Sequence, residues 1–218
     1  MITLKREAAM NLRNTATLIA LAVCGALAAC AGASTETSGS TSSPDAVNAS
    51  VGCSTQPGSQ PLAERASPFD STRITLGSDV AKVCYSRPSA KGRVVFGELV
   101  PFDKLWRTGA NEPTIIHTPV AADIAGIRVE PGSYSLYTIP GESQWTIIVN
   151  RSITQWGHEG TYTPAVQAQE VGRAQVGTQR LDNHVETFTI RSEPAASGAS
   201  LILEWERTRV VIPVRRVG

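Results

Sequence analysis

Residues 130–150 read EPGSYSLYTIPGESQWTIIVN. Glu130-Pro131-Gly132 and Pro140-Gly141-Glu142-Ser143 are turn signals, because Pro presets φ and Gly accepts conformations closed to other residues. Between the two turns, Tyr134 and Leu136 alternate with Ser135 and Tyr137. Beyond the second turn, Trp145, Ile147 and Val149 fall on one side. A period of two belongs to a strand, not a helix. Two such runs across a short turn make an antiparallel hairpin with one apolar face.

The same texture extends both ways, from about Pro68 to Gly218. In VAKVCYSR, Ala81, Val83 and Tyr85 share a face, with Lys82, Cys84 and Ser86 on the other. VETFTIR adds Phe188 and Ile190. LILEWERTRVVIPV offers Leu201, Leu203 and Trp205, then Val210, Ile212 and Val214, flanking an expected tight turn at Arg207-Thr208. No window of helical length keeps a 3.6 period, and one short helical turn is expected near ELVPFDKLW, residues 98–106. About nine short strands in roughly 150 residues predict an all-β antiparallel β-sandwich over residues 67–218. That size supports one core without help from a partner. No internal repeat is visible.

The first 66 residues have a different character. Lys5, Arg6 and Arg13 precede the apolar run TLIALAVCGALAAC, Thr17 to Cys30. A basic stretch before a short apolar one reads as an export signal, residues 1–29. Leu27-Ala28-Ala29-Cys30 resembles a lipobox, in which the Cys30 thiol takes a diacylglycerol and the mature N-terminus carries acyl chains such as palmitate. Cys24 fits less well, since Val23 stands where a small residue is wanted. An ordinary secretory signal with a Cys near its cleavage site is the alternative. Ala31 after the Cys resembles outer-membrane sorting, so the expected location is the bacterial envelope, held to the outer membrane by an N-terminal lipid anchor.

Loss of residues 1–29 removes three basic residues and one acidic one, leaving 17 Lys+Arg against 18 Asp+Glu. That balance draws the domain to neither nucleic acid nor anionic lipid, and no nucleic-acid partner is expected. From Ala31 to Gln60, 16 of 30 residues are Ser, Thr or Gly. Such a segment buries too little to offset its ordering entropy, so residues 30–66 read as a flexible tether spanning about 30 Å. With Cys24 removed and Cys30 acylated, Cys53 and Cys84 remain. In an oxidising compartment they pair, which would stabilise the fold by about 3–4 kcal/mol. Otherwise they are two independent thiols, with Cys84 buried in a strand.

GRVVFGELVPFDKLWRTGANEPT, Gly92 to Thr114, resembles the signature of DUF2911, a family of bacterial secreted domains of unknown function. Glu130–Asn150 and LILEWERTRVVIPV match it too, so the resemblance covers nearly all of Ser67 to Val214. It implies an all-β exported domain, often lipid-anchored, and supplies no activity.

WRTGANEPT, residues 106–114, is the polar knot in this β-texture. Gly109 and Asn111 are expected to take positive φ, and Pro113 pushes Glu112 into an extended conformation before strand TIIHT. Arg107 and Glu112 would face each other and pair bidentately. Two readings follow. The pair closes one end of the sandwich as a structural clasp, or its open edge meets a ligand. In the second, Trp106, Arg107, Asn111 and Glu112, with Trp156 and His158 from the loop after Asn150, would hold a small polar or glycan-like molecule.

An enzymatic alternative uses Glu112 with His117 or His158 as acid and base in a hydrolase-like reaction. HEGTY, from His158, starts like the zinc-protease HExxH but has Tyr162 in place of the second His, and no helix pattern supports it. His117, His158 and Glu112 gathering a metal is the weaker possibility, and neither metal nor cofactor is expected. There is no G-x-S-x-G elbow, Gly-rich phosphate loop or CxxC. Glu204 and Glu206 share a strand face spaced like a carboxylate pair, and are expected in water.

Overall fold

In the computed structural model, which describes Cys53 and residues 55–218, the chain is antiparallel β-structure throughout its body. The export signal, Cys24, Cys30 and most of the Ser/Thr-rich tether lie outside the described residues. The strands are β1 (Phe69–Leu76), β2 (Asp79–Ser86), β3 (Thr114–Thr118), β4 (Ala122–Ile124), β5 (Ile127–Val129), β6 (Gly132–Ile139), β7 (Gln144–Asn150), β8 (Glu170–Ala195) and β9 (Gly198–Arg216). Their order is β1-β2-β3-β6-β7-β8-β9-β4-β5.

The opening hairpin is β6–β7, with Leu136 opposite Val149 and Ile139 opposite Thr146. The nine-strand sheet folds over on itself along β8. The first part of β8 pairs with β7, from Glu170 to Gly177, and the rest pairs with β9, from Thr178 to Ala195. Irregularities between Arg180, Val185 and Thr189 bend the strand between its two partners. The fold closes where Pro88 O accepts from Phe188 N at 2.9 Å and Glu186 O from Ala90 N at 2.8 Å. Tyr85 Oη, reaching across, both donates to Ile190 O and accepts from Ile190 N.

The residues singled out by alternation fill the space between the layers. Val83, Tyr85, Leu136, Trp145, Ile147, Val149, Phe188, Leu201, Leu203, Trp205, Val210 and Ile212 are all buried in one cluster. Each large apolar side chain so placed stabilises the fold by about 1.5–3 kcal/mol. At one end the cluster turns aromatic. Phe96 lies 4.9 Å from Trp145, 5.9 Å from Trp106 and 6.0 Å from Trp205, edge on, and Trp106 stacks on Trp205 at 5.9 Å.

Three expectations are corrected. There is no turn at Arg207-Thr208: β9 runs unbroken from Gly198 to Arg216, with Glu206 left-handed (φ 55°) opposite Val185, where the extra residues lie on β8. ELVPFDKLW forms bends under the aromatic cluster, not a helix; the α-helical turn is α1, Pro164–Gln167, capped by Thr163 Oγ1. Glu204 is not in water, because Arg191 and Arg209 pair with it and leave its side chain 12% exposed.

The outward face of β2, β3, β6 and β7 is buried as well. Cys84, Ile115, Ser135, Tyr137, Ile148 and Asn150 all point away from the core yet lie covered. Two segments cover them. Residues 55–65 are strapped over this face, and the 151–169 loop lies beside them, with Gln56 Nε2 donating to Ile153 O at 2.8 Å. Tyr137 packs edge-on against Tyr162 at 4.8 Å, and its Oη accepts from Gln155 Nε2. Asn150 Nδ2 donates to Val166 O at 2.7 Å and to Tyr162 Oη at 3.2 Å. The far end of the segment grouped with the tether is thus pinned to the body, and Cys53 bridges Cys84 with Cα atoms 5.7 Å apart.

Candidate functional site

The Trp106–Thr114 turn is held at both ends by backbone pairing. Trp106 N and O both bond Thr138, and Thr114 N donates to Arg107 O at 3.0 Å. Between these ties Asn111 takes a positive φ of 60°, as its side chain permits. Gly109 also takes a positive φ (157°), and a Cβ there would come within 2.9 Å of Ser86 O. The unexpected left-handed residue is Thr108, at φ 58°. A β-branched residue pays about 1–3 kcal/mol in that region, so the surroundings must impose it. They do, because Thr108 is fully buried, its Oγ1 bonds Thr138 Oγ1, and its carbonyl accepts from Thr114 Oγ1 at 2.6 Å.

Glu112 does not pair with Arg107. Its carboxylate takes a bidentate pair from Arg65, Nη1 to Oε2 at 2.6 Å and Nη2 to Oε1 at 2.8 Å. Oε1 also accepts from Gln56 N at 3.1 Å and Ser59 Oγ at 2.8 Å. All three donors sit on the 55–65 strap. Burial by itself would raise the Glu112 pKa, but the Arg65 guanidinium and the other donors hold it at about 2. The clasp expected within the turn therefore exists, with a partner 47 residues away.

Arg107 points elsewhere. Its Nη1 donates to Asn111 O at 2.6 Å, and its aliphatic stem lies against Gly157, where any Cβ would overlap it. Burial pushes its pKa down, while Tyr137 and Glu112 oppose that, and the group remains a cation. Arg107 lines a cleft of about 340 Å³ whose other walls include Ser67, Arg93, Trp106, Asn111 and Trp205. Asn111 Nδ2 donates to Ser86 Oγ at 3.2 Å, which fixes its amide at the edge.

The sequence-derived candidates divide accordingly. Trp106, Arg107 and Asn111 share the cleft; Glu112 faces the strap behind it. The loop carrying Trp156 and His158 does reach the turn, through Gly157, yet neither side chain lines the cleft. Trp156 is 36% exposed. His117 stands on β3, its Nδ1 2.6 Å from Ser133 Oγ and its Nε2 buried without a partner among the described residues. Burial and the neighbouring Lys82 lower its pKa, so it is carried neutral. Among the described residues no hydrogen bond joins Glu112 to either His, and no three His, Cys, Asp or Glu side chains converge as metal ligands. With every Glu112 bond spent on the strap, the acid–base pairing has no geometry to act through.

Arg93 and Trp205 are cleft residues the sequence reading missed. Trp205 was assigned to the core, which is also true, since its edge forms the cleft floor while 2% of the residue is exposed. Arg93 sits one residue into the family-like run, in GRVVFGELV, and nothing in its spacing points at the turn.

The model of the family described as "Protein of unknown function (DUF2911)" matches residues 67–214. No curated protein and no solved structure matches the chain.

Proposed function

The chain belongs to the DUF2911 family, and from that premise we propose a cell-envelope lipoprotein whose β-sandwich is a binding module for a small polar or glycan-like ligand. The cleft beside the Trp106–Asn111 turn carries the reading. Its volume lies at the small end of ligand sites, suited to a molecule the size of one sugar or amino acid. A buried, strained Thr108 presents the turn, and strain of that kind concentrates at ligand sites. The saturated Glu112 and distant His117 favour binding over acid–base chemistry.

The envelope half rests on the export-like N-terminus and on the Cys53–Cys84 bridge, which suits an oxidising compartment. Among the described residues no helix is long and apolar enough to cross a membrane, and the lipobox-like Leu27–Cys30 is what supports attachment through acyl chains on Cys30. Labelling cells with an alkyne analogue of palmitate should tag the wild-type chain and not Cys30→Ala. Labelling of both, or of neither, would end the lipoprotein reading. For the cleft, Ala110→Phe fills the space without touching the clasp. Any stabilisation of the full chain by a small polar ligand, read by thermal melting, should vanish in that variant.

A further inference from the structure

The charges lining the cleft are all of one sign. Arg93 and Arg107 are its charged residues, and no carboxylate joins them. The second large cleft, about 480 Å³ on the other side of the 92–105 segment, sets Glu142 and Glu206 against Arg180 and Arg207. Several other arginines pair with acids, among them Arg65 with Glu112, Arg87 with Asp70, Arg173 with Glu170 and Arg209 with Glu204, though Arg207 bonds a backbone carbonyl. The two in the cleft bond backbone carbonyls instead.

What each leaves open is specific. Arg107 uses Nη1 on Asn111 O, and among the described residues its Nε and Nη2 have no partner. Those two N–H groups are parallel and form the side-on fork that fits both oxygens of a carboxylate or phosphate. Arg93 uses Nε on Ala90 O and Nη2 on Ser89 O, both at 2.9 Å, leaving Nη1 as a single further donor. The Gly157 backbone holds the Arg107 stem, so the fork is set before a ligand arrives. The tryptophans are too deep to stack a sugar ring: Trp106 is 9% exposed and Trp205 2%. Recognition by charge outweighs recognition by ring stacking here.

We propose that the cleft selects an oxyanion-bearing ligand, its carboxylate or phosphate seated on the Arg107 fork with Arg93 as a second cation. The proposal rests on the binding reading above and narrows it to acidic ligands. Calorimetric titration of the full chain in detergent at low salt, with glucuronate, glucose and inorganic phosphate as probes, tests it. Glucuronate is expected to bind at least about tenfold tighter than glucose, an effect that fades as salt rises. Tight phosphate binding beside weak glucuronate would assign the seat to phosphate, as the proposal also allows. Arg107→Gln and the exposed Arg93→Gln should each weaken the anion about tenfold or more, and Arg107→Lys should lie between, keeping charge without the fork. Glucose and glucuronate binding alike, with Ala110→Phe abolishing both, would overturn the anion claim and leave the binding module standing. No heat from any probe, or binding unmoved by Ala110→Phe, would overturn both.

Discussion

The two charged residues of one turn, Arg107 and Glu112, lie close enough to feel each other's charge yet bond different partners. Behind the turn, Glu112 is 5% exposed and takes four hydrogen bonds, two from the Arg65 fork. Arg107, a lining residue of the cleft, spends one N–H on a carbonyl and has no partner for Nε and Nη2 among the described residues. A saturated ion pair holds chain together, whereas an unsaturated cation awaits a partner. The motif that reads as either a clasp or a site is a clasp on the Glu112 side, and the Arg107 side is where the proposed site lies.

Breaking the rear face should have the largest effect. Glu112→Ala leaves the Arg65 guanidinium, whose side chain is 1% exposed, buried without a counter-charge. Loss of one partner of a buried pair costs about 3–5 kcal/mol, measurable by urea unfolding. Arg65→Ala should cost a similar amount, and the double variant much less than the sum. Additive costs would show that the two do not act as a pair.

Reduction of Cys53–Cys84 comes next. Releasing a 31-residue span should lower stability by about 3–4 kcal/mol on the chain-entropy estimate. Hydrogen exchange should then quicken over residues 55–65 while β6 and β7 stay protected. Loss of protection throughout would mean that the strap is not separable from the core.

Acid sharpens the comparison. The Glu112 pKa is about 2 folded against an ordinary 4.5, so its contribution is complete above pH 4.5. It is lost as pH falls from 4.5 towards 2, and amounts to roughly 3 kcal/mol by linkage. Glu112→Gln should flatten that limb. His117, with its pKa depressed below 6.5, adds a gentler loss that starts as pH drops through 6.5, because only the unfolded chain then takes the proton freely. His117→Gln should remove that part alone, leaving the steeper limb below pH 4.5 in place.

The contact between the 151–169 loop and Arg107 is broken most directly by Gly157→Ala. Its Cβ must displace the Arg107 stem. The cost should be about 3 kcal/mol, the upper end for overpacking, because Arg107 Cβ at 2.4 Å is tied to its backbone and the turn must move with it. Ligand-linked stabilisation should fall well beyond what that cost explains.

How much of this could be read from the sequence follows from range. Alternation in β2, β6, β7 and β9 placed the inward side chains, because period two is local and survives burial on one face. It failed on the outward face, where Ser135, Tyr137 and Asn150 look solvent-bound yet lie under the strap and the 151–169 loop. No local pattern tells a covered polar face from a wet one. Glu206-Arg207-Thr208 imitated a turn because polar residues interrupt alternation there, while the strand continues past an irregularity that lies on β8. Arg65 and Arg93 were missed as partners because their roles depend on contacts formed across the fold; the nearer-at-hand Arg107 took the place of the first.

The most direct test sets Arg107→Gln beside Glu112→Gln, both as full chains at neutral pH and 25 °C. Urea unfolding and calorimetric titration with glucuronate are run on each. Arg107→Gln should keep its unfolding midpoint and lose the ligand, while Glu112→Gln should unfold far sooner and bind as the wild type does while folded. A folded Glu112→Gln that no longer binds, or an Arg107→Gln destabilised as much as its neighbour, would contradict the division of the turn into two faces.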